Sequence, residues 1–293
     1  MSTAVAPVRL PPLLPLLYHD LVQRALLEDL GRAGDVTTDA IAPAGLTGRG
    51  LLVARQAGRI AGLDPALHAF RVLDPACRVE VEVADGHDAE AGQAIAAVEA
   101  SARALLGAER TALNLLGHLS GIATATRQVV ACLAGLPARV ADTRKTTPGL
   151  RALEKHAVRA GGGSSHRYGL DDAVLVKDNH LALAGGVREA VARVRASVGH
   201  LVKLEVEVDT LAQLEEALAA GVDAVLLDNM DTATLREAVR RVAGRALTEA
   251  SGGIRPESVR AVAETGVDLV SLGWLTHSAP ALDVALDLEP PSR

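Results

Sequence analysis

From about residue 137 the chain alternates short β-branched runs with stretches whose apolar positions recur at helical spacing. PARVAD precedes GLRALEKHAVRAG, AVLVKDN precedes GGVREAVARVRASVG, and LVKLEVEV precedes TLAQLEEALAAG. VDAVLLDN with ATLREAVRRVAG, RALTEASGG with PESVRAVAETG, and a final VDLVSLG complete the series. Strand alternating with helix predicts right-handed βαβ units around a parallel sheet. Glu207, Asp228, Ser251 and Gly273 recur every 21 to 23 residues, one for each unit. Six units predict an incomplete parallel β/α barrel of about six or seven strands. A doubly wound sheet is disfavoured, because no GxGxxG turn follows the first strand. Upstream, residues 16–30 and 64–73 have helical periodicity, and RGLLVARQ and RVEVEVAD alternate as strands. AIAAVEA leads into a long helix from about 101 to 134. Taken by themselves these elements predict a separate α+β domain.

A barrel places its chemistry at the C-terminal ends of the strands. Here each strand ends in something polar: Thr143, Arg144 and Lys145 after Asp142; Lys177, Asp178 and Asn179; Glu207; Asp228 and Asn229; Glu249 before Ser251, Gly252 and Gly253; and Ser271 with Gly273. In LVKLEVEV the alternation puts Val202, Leu204, Val206 and Val208 on one face and Lys203, Glu205 and Glu207 on the other. The apolar face belongs under helices, so the charged face points into the barrel. Lys203 and Glu205 are then either site residues or an internal ion pair, while Glu207 lies nearer the mouth.

Composition narrows the function. The chain has 293 residues, 49% hydrophobic and 23% charged, enough for two modest cores. PPLLPLL near the N-terminus has neither a basic flank nor a cleavage site, and no uninterrupted apolar run reaches membrane length, so neither a signal peptide nor a membrane partner is expected. Two cysteines, Cys77 and Cys132, are too few for a disulfide framework and predict free thiols and a cytoplasmic location. The net charge of -6 argues against nucleic acid as a partner.

Against that acidic background, residues 139–167 carry seven Arg or Lys and two acids. The four lysines of the chain, Lys145, Lys155, Lys177 and Lys203, all fall between 145 and 203, whereas the other 26 basic residues are Arg. Lysine retained in so Arg-rich a chain points to places where a compact ammonium is needed. Arg144, Lys145, His166, Arg167 and Lys177 sit at strand ends or in the GGGSSHR loop and are the preferred site cations. Arg151, Lys155 and Arg159 read instead as a solvated helix face. Ser251-Gly252-Gly253 before a helix, with the neighbouring Leu272-Gly273-Trp274, forms a candidate phosphate cradle. Many cations, a phosphate cradle and the carboxylates Glu207 and Asp228 suit phosphoribosyl transfer. The leaving pyrophosphate needs cations and Mg²⁺, and the oxocarbenium-like ribosyl carbon needs carboxylates.

TRKTTPGLR, GGGSSHR, VKDNH, LEVEV, LLDN and EASGGI, in this order and spacing, resemble the quinolinate phosphoribosyltransferase family. The resemblance extends to EDLGRAGDVTTD, ERTALNLLGHLSGIAT and GWLTHSAPALDVAL, nearly the whole chain. It implies an N-terminal α/β sandwich domain over residues 1–112, to which 278–293 returns, and a catalytic barrel over 113–277. It implies transfer of phosphoribosyl from phosphoribosyl pyrophosphate to quinolinate with loss of CO₂, giving nicotinate mononucleotide for NAD biosynthesis. Quinolinate would meet Arg144, His166, Arg167 and Lys177, with Arg110 supplied by a neighbouring subunit; read alone, Arg110 is an ordinary helix-surface arginine. Lys145 with Thr143 would serve phosphoribosyl pyrophosphate. Glu207 and Asp228 would lie near the ribose and, through the substrate, near Mg²⁺, with no organic cofactor. Ser251, Gly252, Gly253, Leu272, Gly273 and Trp274 match phosphate-binding loops. A homodimer with shared sites follows, or a hexamer of such dimers. The alternatives are a paralogous protein associated with molybdenum transport, a Schiff-base lyase using Lys177, and a non-catalytic sensor of phosphorylated metabolites, which has no use for Glu207 and Asp228.

Overall fold

The structure, a computed structural model, describes residues 10–289. Two compact units emerge from its contacts: one takes the chain up to Arg127, Thr147–Gly162 and the segment from Ser278, the other Gln128–Thr146 and Gly163–His277.

The first unit is built on an antiparallel sheet of β1 (Thr47–Ala54), β3 (Arg78–Val81), β5 (Ala94–Ser101) and a returning strand, Val284–Leu288; β2 (Gly58–Arg59) and β4 (Asp88–Ala89) form a separate small ribbon. The returning strand pairs along β1 from Gly50↔Leu288 to Ala54↔Val284, and β1 pairs in turn with β5. Helices His19–Leu30, Leu63–Leu73 and the long Ala102–Cys132 supply the other face of the core. Phe70, Leu52, Ile60, Ile95, Leu105, Leu116 and Leu119 are fully buried there. RVEVEVAD forms a shorter strand than its alternation suggests: the amides of Glu82 and Val83 both donate to the Ile95 carbonyl, which ends regular pairing. The C-terminal segment reaches the sheet across the long helix at Gly121, where an added Cβ would stand 2.1 Å from the Pro280 carbonyl oxygen.

The helix Arg151–Ala160 belongs to this first unit and departs from the solvated face expected of it. Glu154, Lys155 and His156 are all buried. Glu154 accepts from His118 at 2.9 Å and from the Thr147 amide at 3.1 Å, and His156 meets Asp85 at 2.9 Å. Arg159 alone of the three basic residues is exposed.

The second unit holds six parallel strands, β6 (Arg139–Ala141), β7 (Val174–Val176), β8 (Leu204–Val208), β9 (Ala224–Asp228), β10 (Leu247–Ser251) and β11 (Leu269–Ser271), in the order β6-β11-β10-β9-β8-β7. Helices between them start on side-chain caps where the sequence offers one: Thr210 accepts from the Gln213 amide and Asp231 from the Thr234 amide. β6 and β7 are the two edges. Between them the glycine-serine run fills part of a seventh strand's place, since Ser164 bridges Ala141 in parallel and donates its amide to the Val140 carbonyl at 2.7 Å. Residues at the ends of all six strands, both edges included, line one cavity, as only a curled sheet allows. The incomplete barrel expected from the repeat is the fold observed. No helix among the described residues is long and apolar enough to cross a membrane.

Candidate active site

The cavity at the C-terminal ends of these strands has a volume of about 540 Å³. Its walls bring together Thr143, Arg144 and Lys145 after β6, His166 and Arg167 from the glycine loop, and Lys177 after β7. Glu207 of β8, Asp228 of β9 and Ser251-Gly252-Gly253 at the end of β10 complete the wall. Along β8 the burial alternates as the sequence requires: Leu204, Val206 and Val208 are fully buried and Glu205 and Glu207 are half-buried on the inner face. Lys203 does not join them. It precedes the strand, with its side chain 79% exposed, and pairs with Asp223 at 2.8 Å, so an internal Lys203–Glu205 pair is absent.

Arg144 and Arg167 place partly buried guanidinium groups in this cavity, and the Nε of each is buried without a hydrogen-bond partner. Burial first, and then the neighbouring Arg144 charge, lower the pKa of Arg167. Two like charges this close favour a ligand that brings negative charge between them. Arg167 keeps its direction by donating Nη1 to the Ala173 carbonyl at 3.1 Å. His166 is fixed by its own amide, which donates to the fully buried Asp142 at 2.8 Å. Lys177 donates to Glu207 at 2.7 Å, so its ammonium already has a carboxylate partner rather than the apolar pocket that favours a Schiff-base lysine.

Asp228 carries the opposite strain. Burial, then the charges of Glu207 and Asp209, raise its carboxyl above the usual range, an arrangement that favours the arrival of positive charge. Next to it Asn229 adopts a left-handed φ of 53° and donates its amide to the Ser251 carbonyl at 2.9 Å. That places β9 against the glycine loop so tightly that a Cβ on Gly252, itself at φ +101°, would lie 2.1 Å from Asn229 Oδ1. Gly253 is left-handed as well, at φ +60°. Gly273 makes room for Lys145: a Cβ there would stand 2.8 Å from Lys145 Cδ. Thr276 then holds the same loop by donating to the Lys145 carbonyl at 2.7 Å.

Four of the expected residues do not line the cavity. Leu272 is buried, Gly273 acts behind Lys145, Trp274 keeps a buried indole nitrogen without a partner, and Arg110 is exposed on the long helix of the first unit. Conversely Leu175, Leu226, Asn229, Glu249 and Ser271 line it without having been assigned a role. The signal for Glu249 was available in the strand alternation, since it stands two residues before Ser251 and shares its face.

These features define a β/α-barrel protein whose strand ends form a cation-rich pocket with carboxylates at adjoining strand ends and a glycine loop beside them. The chain belongs to the quinolinate phosphoribosyl transferase family: residues 35–120 match the model of the family's N-terminal domain and residues 122–287 that of its C-terminal domain. It is 48% identical over 278 residues to the nicotinate-nucleotide pyrophosphorylase [carboxylating] of Mycobacterium leprae, covering 92% of this chain and 96% of that protein. It is 44% identical over 268 residues to the probable nicotinate-nucleotide pyrophosphorylase [carboxylating] of Bacillus subtilis, covering 92% of each. Among solved structures, NadC from Streptococcus pyogenes superposes with a TM-score of 0.92 at 40% identity, over 95% of this chain and 99% of that one.

Proposed function

We propose that this protein transfers the phosphoribosyl group of phosphoribosyl pyrophosphate to the ring nitrogen of quinolinate and releases CO₂, forming nicotinate mononucleotide for NAD biosynthesis. The observation that carries this reading is the pair of half-buried guanidinium groups of Arg144 and Arg167 in one cavity with a phosphate-type glycine loop. A pyridine with two adjacent carboxylates supplies two negative charges to two planar donors. His166 and Lys177 complete the ring of donors around it. Lys145, Thr143 and the backbone of Ser251-Gly252-Gly253 take the phosphates, with Leu272-Gly273-Trp274 shaping the loop behind them.

In the first step the ring nitrogen forms a bond to the ribosyl C1 as the C1–O bond breaks, and the electron pair departs with pyrophosphate. Glu207 and Asp228 stabilise the positive charge that develops on the ribose. In the second step the bond from the ring to the carboxylate beside the nitrogen breaks. Its electron pair stays on the ring carbon next to the pyridinium nitrogen, CO₂ leaves, and a proton replaces it. The raised carboxyl of Asp228 beside Glu207 fits a magnesium ion brought by the pyrophosphate and reaching both acids through the substrate. Such an ion would neutralise the leaving group.

The same proposal includes a homodimer at least, in which the exposed Arg110 serves the site of the partner subunit. A cytoplasmic location rests on the free thiols of Cys77 and Cys132. The test is incubation with quinolinate, phosphoribosyl pyrophosphate and Mg²⁺, with CO₂ and nicotinate mononucleotide measured and nicotinate as the control substrate. Formation of both products from quinolinate alone of the two acids is expected; turnover of nicotinate instead would overturn the reading.

A further inference from the structure

Below the catalytic cavity lies a second one of about 300 Å³, lined by the first residues of all six strands: Arg139, Val174, Leu204, Ala224, Leu247 and Leu269. His166, Arg167 and Glu249 line both and so form the partition between them. Glu249 is 2% exposed, and its Oε1 has no hydrogen-bond partner. His166 Nδ1 accepts the Arg167 amide at 2.7 Å, so the ring's hydrogen lies on Nε2. That Nε2 stands 3.0 Å from Glu205 and 3.6 Å from Glu249. Two acids and an imidazole this close could be read as a metal site, but an Nε2 that carries a hydrogen is a donor, not a ligand.

We propose that Glu249 is a proton-linked positioning residue at the floor of the dicarboxylate site, taking up a proton from solvent as the substrate binds and acting through His166. Ionised, it adds a negative charge beneath the Arg144–Arg167 pair and competes with Glu205 for the His166 hydrogen. Protonated, it leaves His166 directed to Glu205 and one negative charge fewer below the two guanidinium groups that meet an incoming dianion.

The surroundings put this equilibrium where it can matter. Burial first and the Glu205 charge second push the Glu249 carboxyl up to about 7; Asp142 adds to the rise, while His166 and the Ser271 hydroxyl oppose it. Of the cations lining the second cavity, Arg167 belongs to the partition, Arg139 is exposed at the start of β6, and Lys203 is already paired with Asp223. A site carboxyl that is half ionised near neutrality makes substrate binding and proton binding reciprocal.

The inference rests on the proposed quinolinate site, and the experiment separates the two. Turnover of quinolinate by the wild-type protein tests the site. Calorimetry of quinolinate binding in buffers of different ionisation enthalpy then counts protons: uptake of about half a proton at pH 7, rising at pH 8, is expected, and none in Glu249→Gln. In parallel, kcat/KM for quinolinate falls about five- to tenfold from pH 7 to 8.5 in the wild type and stays flat in Glu249→Gln, with a smaller change for phosphoribosyl pyrophosphate. Glu205→Gln removes one of the charges that raise Glu249, so the inflection moves to lower pH; this variant carries the test if Glu249→Gln does not fold. An active wild type whose inflection and proton count survive in Glu249→Gln, or do not move in Glu205→Gln, overturns the inference and leaves the quinolinate reading intact. Loss of activity equal at every pH also counts against it, as a structural role alone would give that result.

Discussion

Arg144 and Arg167 line the cavity side by side, so their removal is felt chiefly by the ligand that brings carboxylates. Replacing either by Ala is expected to cost roughly 2 to 5 kcal/mol of quinolinate binding and less for phosphoribosyl pyrophosphate, checked by binding of each substrate alone. Equal losses would contradict the assignment. Glu249 adds a stability effect of definite sign. Its folded value of about 7 lies above the ordinary 4.5, so between these pH values the folded chain keeps a proton that the unfolded chain has lost. Stability from this group is therefore full at low pH, declines as pH rises through that window and stays reduced above it. Glu249→Gln is expected to melt higher than the wild type at pH 8, by roughly 3 kcal/mol at most, and to lose that advantage by about pH 5.

At the scale of elements, the β9–β10 pairing fixes the phosphate loop. Ala at Gly252 must adopt φ +101° and also displace Asn229, whose backbone nitrogen would be 2.9 Å away. A stability loss of roughly 1 to 3 kcal/mol is expected, with weaker binding of phosphoribosyl pyrophosphate than of quinolinate, checked by thermal melts and separate titrations. Ala at Gly273 crowds only the flexible Lys145 stem and reaches Thr143 and His277 at ordinary contact distance, so there the fold should persist while the KM for phosphoribosyl pyrophosphate rises. Much of this arrangement could be read in advance, because strand alternation sets which face a residue takes: LEVEV alone places Glu207 inside. The helix Arg151–Ala160 was not legible in the same way. The face expected to be solvated there included Lys155, yet Lys155 is buried with Glu154 and His156, and residues far along the chain, His118 and Asp85, partner the latter two. Periodicity reports a polar residue and not the partner that buries it. Lys203 departs for another reason: the strand begins one residue later, and Asp223 pairs with the exposed side chain.

At the scale of the whole molecule, the shared-site proposal makes a strong claim about mixtures. Arg110→Ala and Lys177→Ala proteins should each be nearly inactive. Subunit exchange between equal amounts of them should restore up to about half an intact site per dimer, because a heterodimer collects both lesions in one site and leaves the other intact. Verified heterodimers without activity would place Arg110 in its own subunit's chemistry or in none.

The strand Val284–Leu288 pairs with β1, more than two hundred residues earlier in the chain. During synthesis the segments that make the barrel, Gln128–Thr146 and Gly163–His277, emerge before that pairing can form. At ordinary translation rates β1 waits on the order of ten seconds or more for its neighbour. For that interval the nascent chain presents GLLVA as an unpaired sheet edge, the kind of surface that recruits other chains or a chaperone. A strand made late is thus the guard of a sheet made early, and crowding on polysomes should be the condition under which the yield of this protein is most vulnerable.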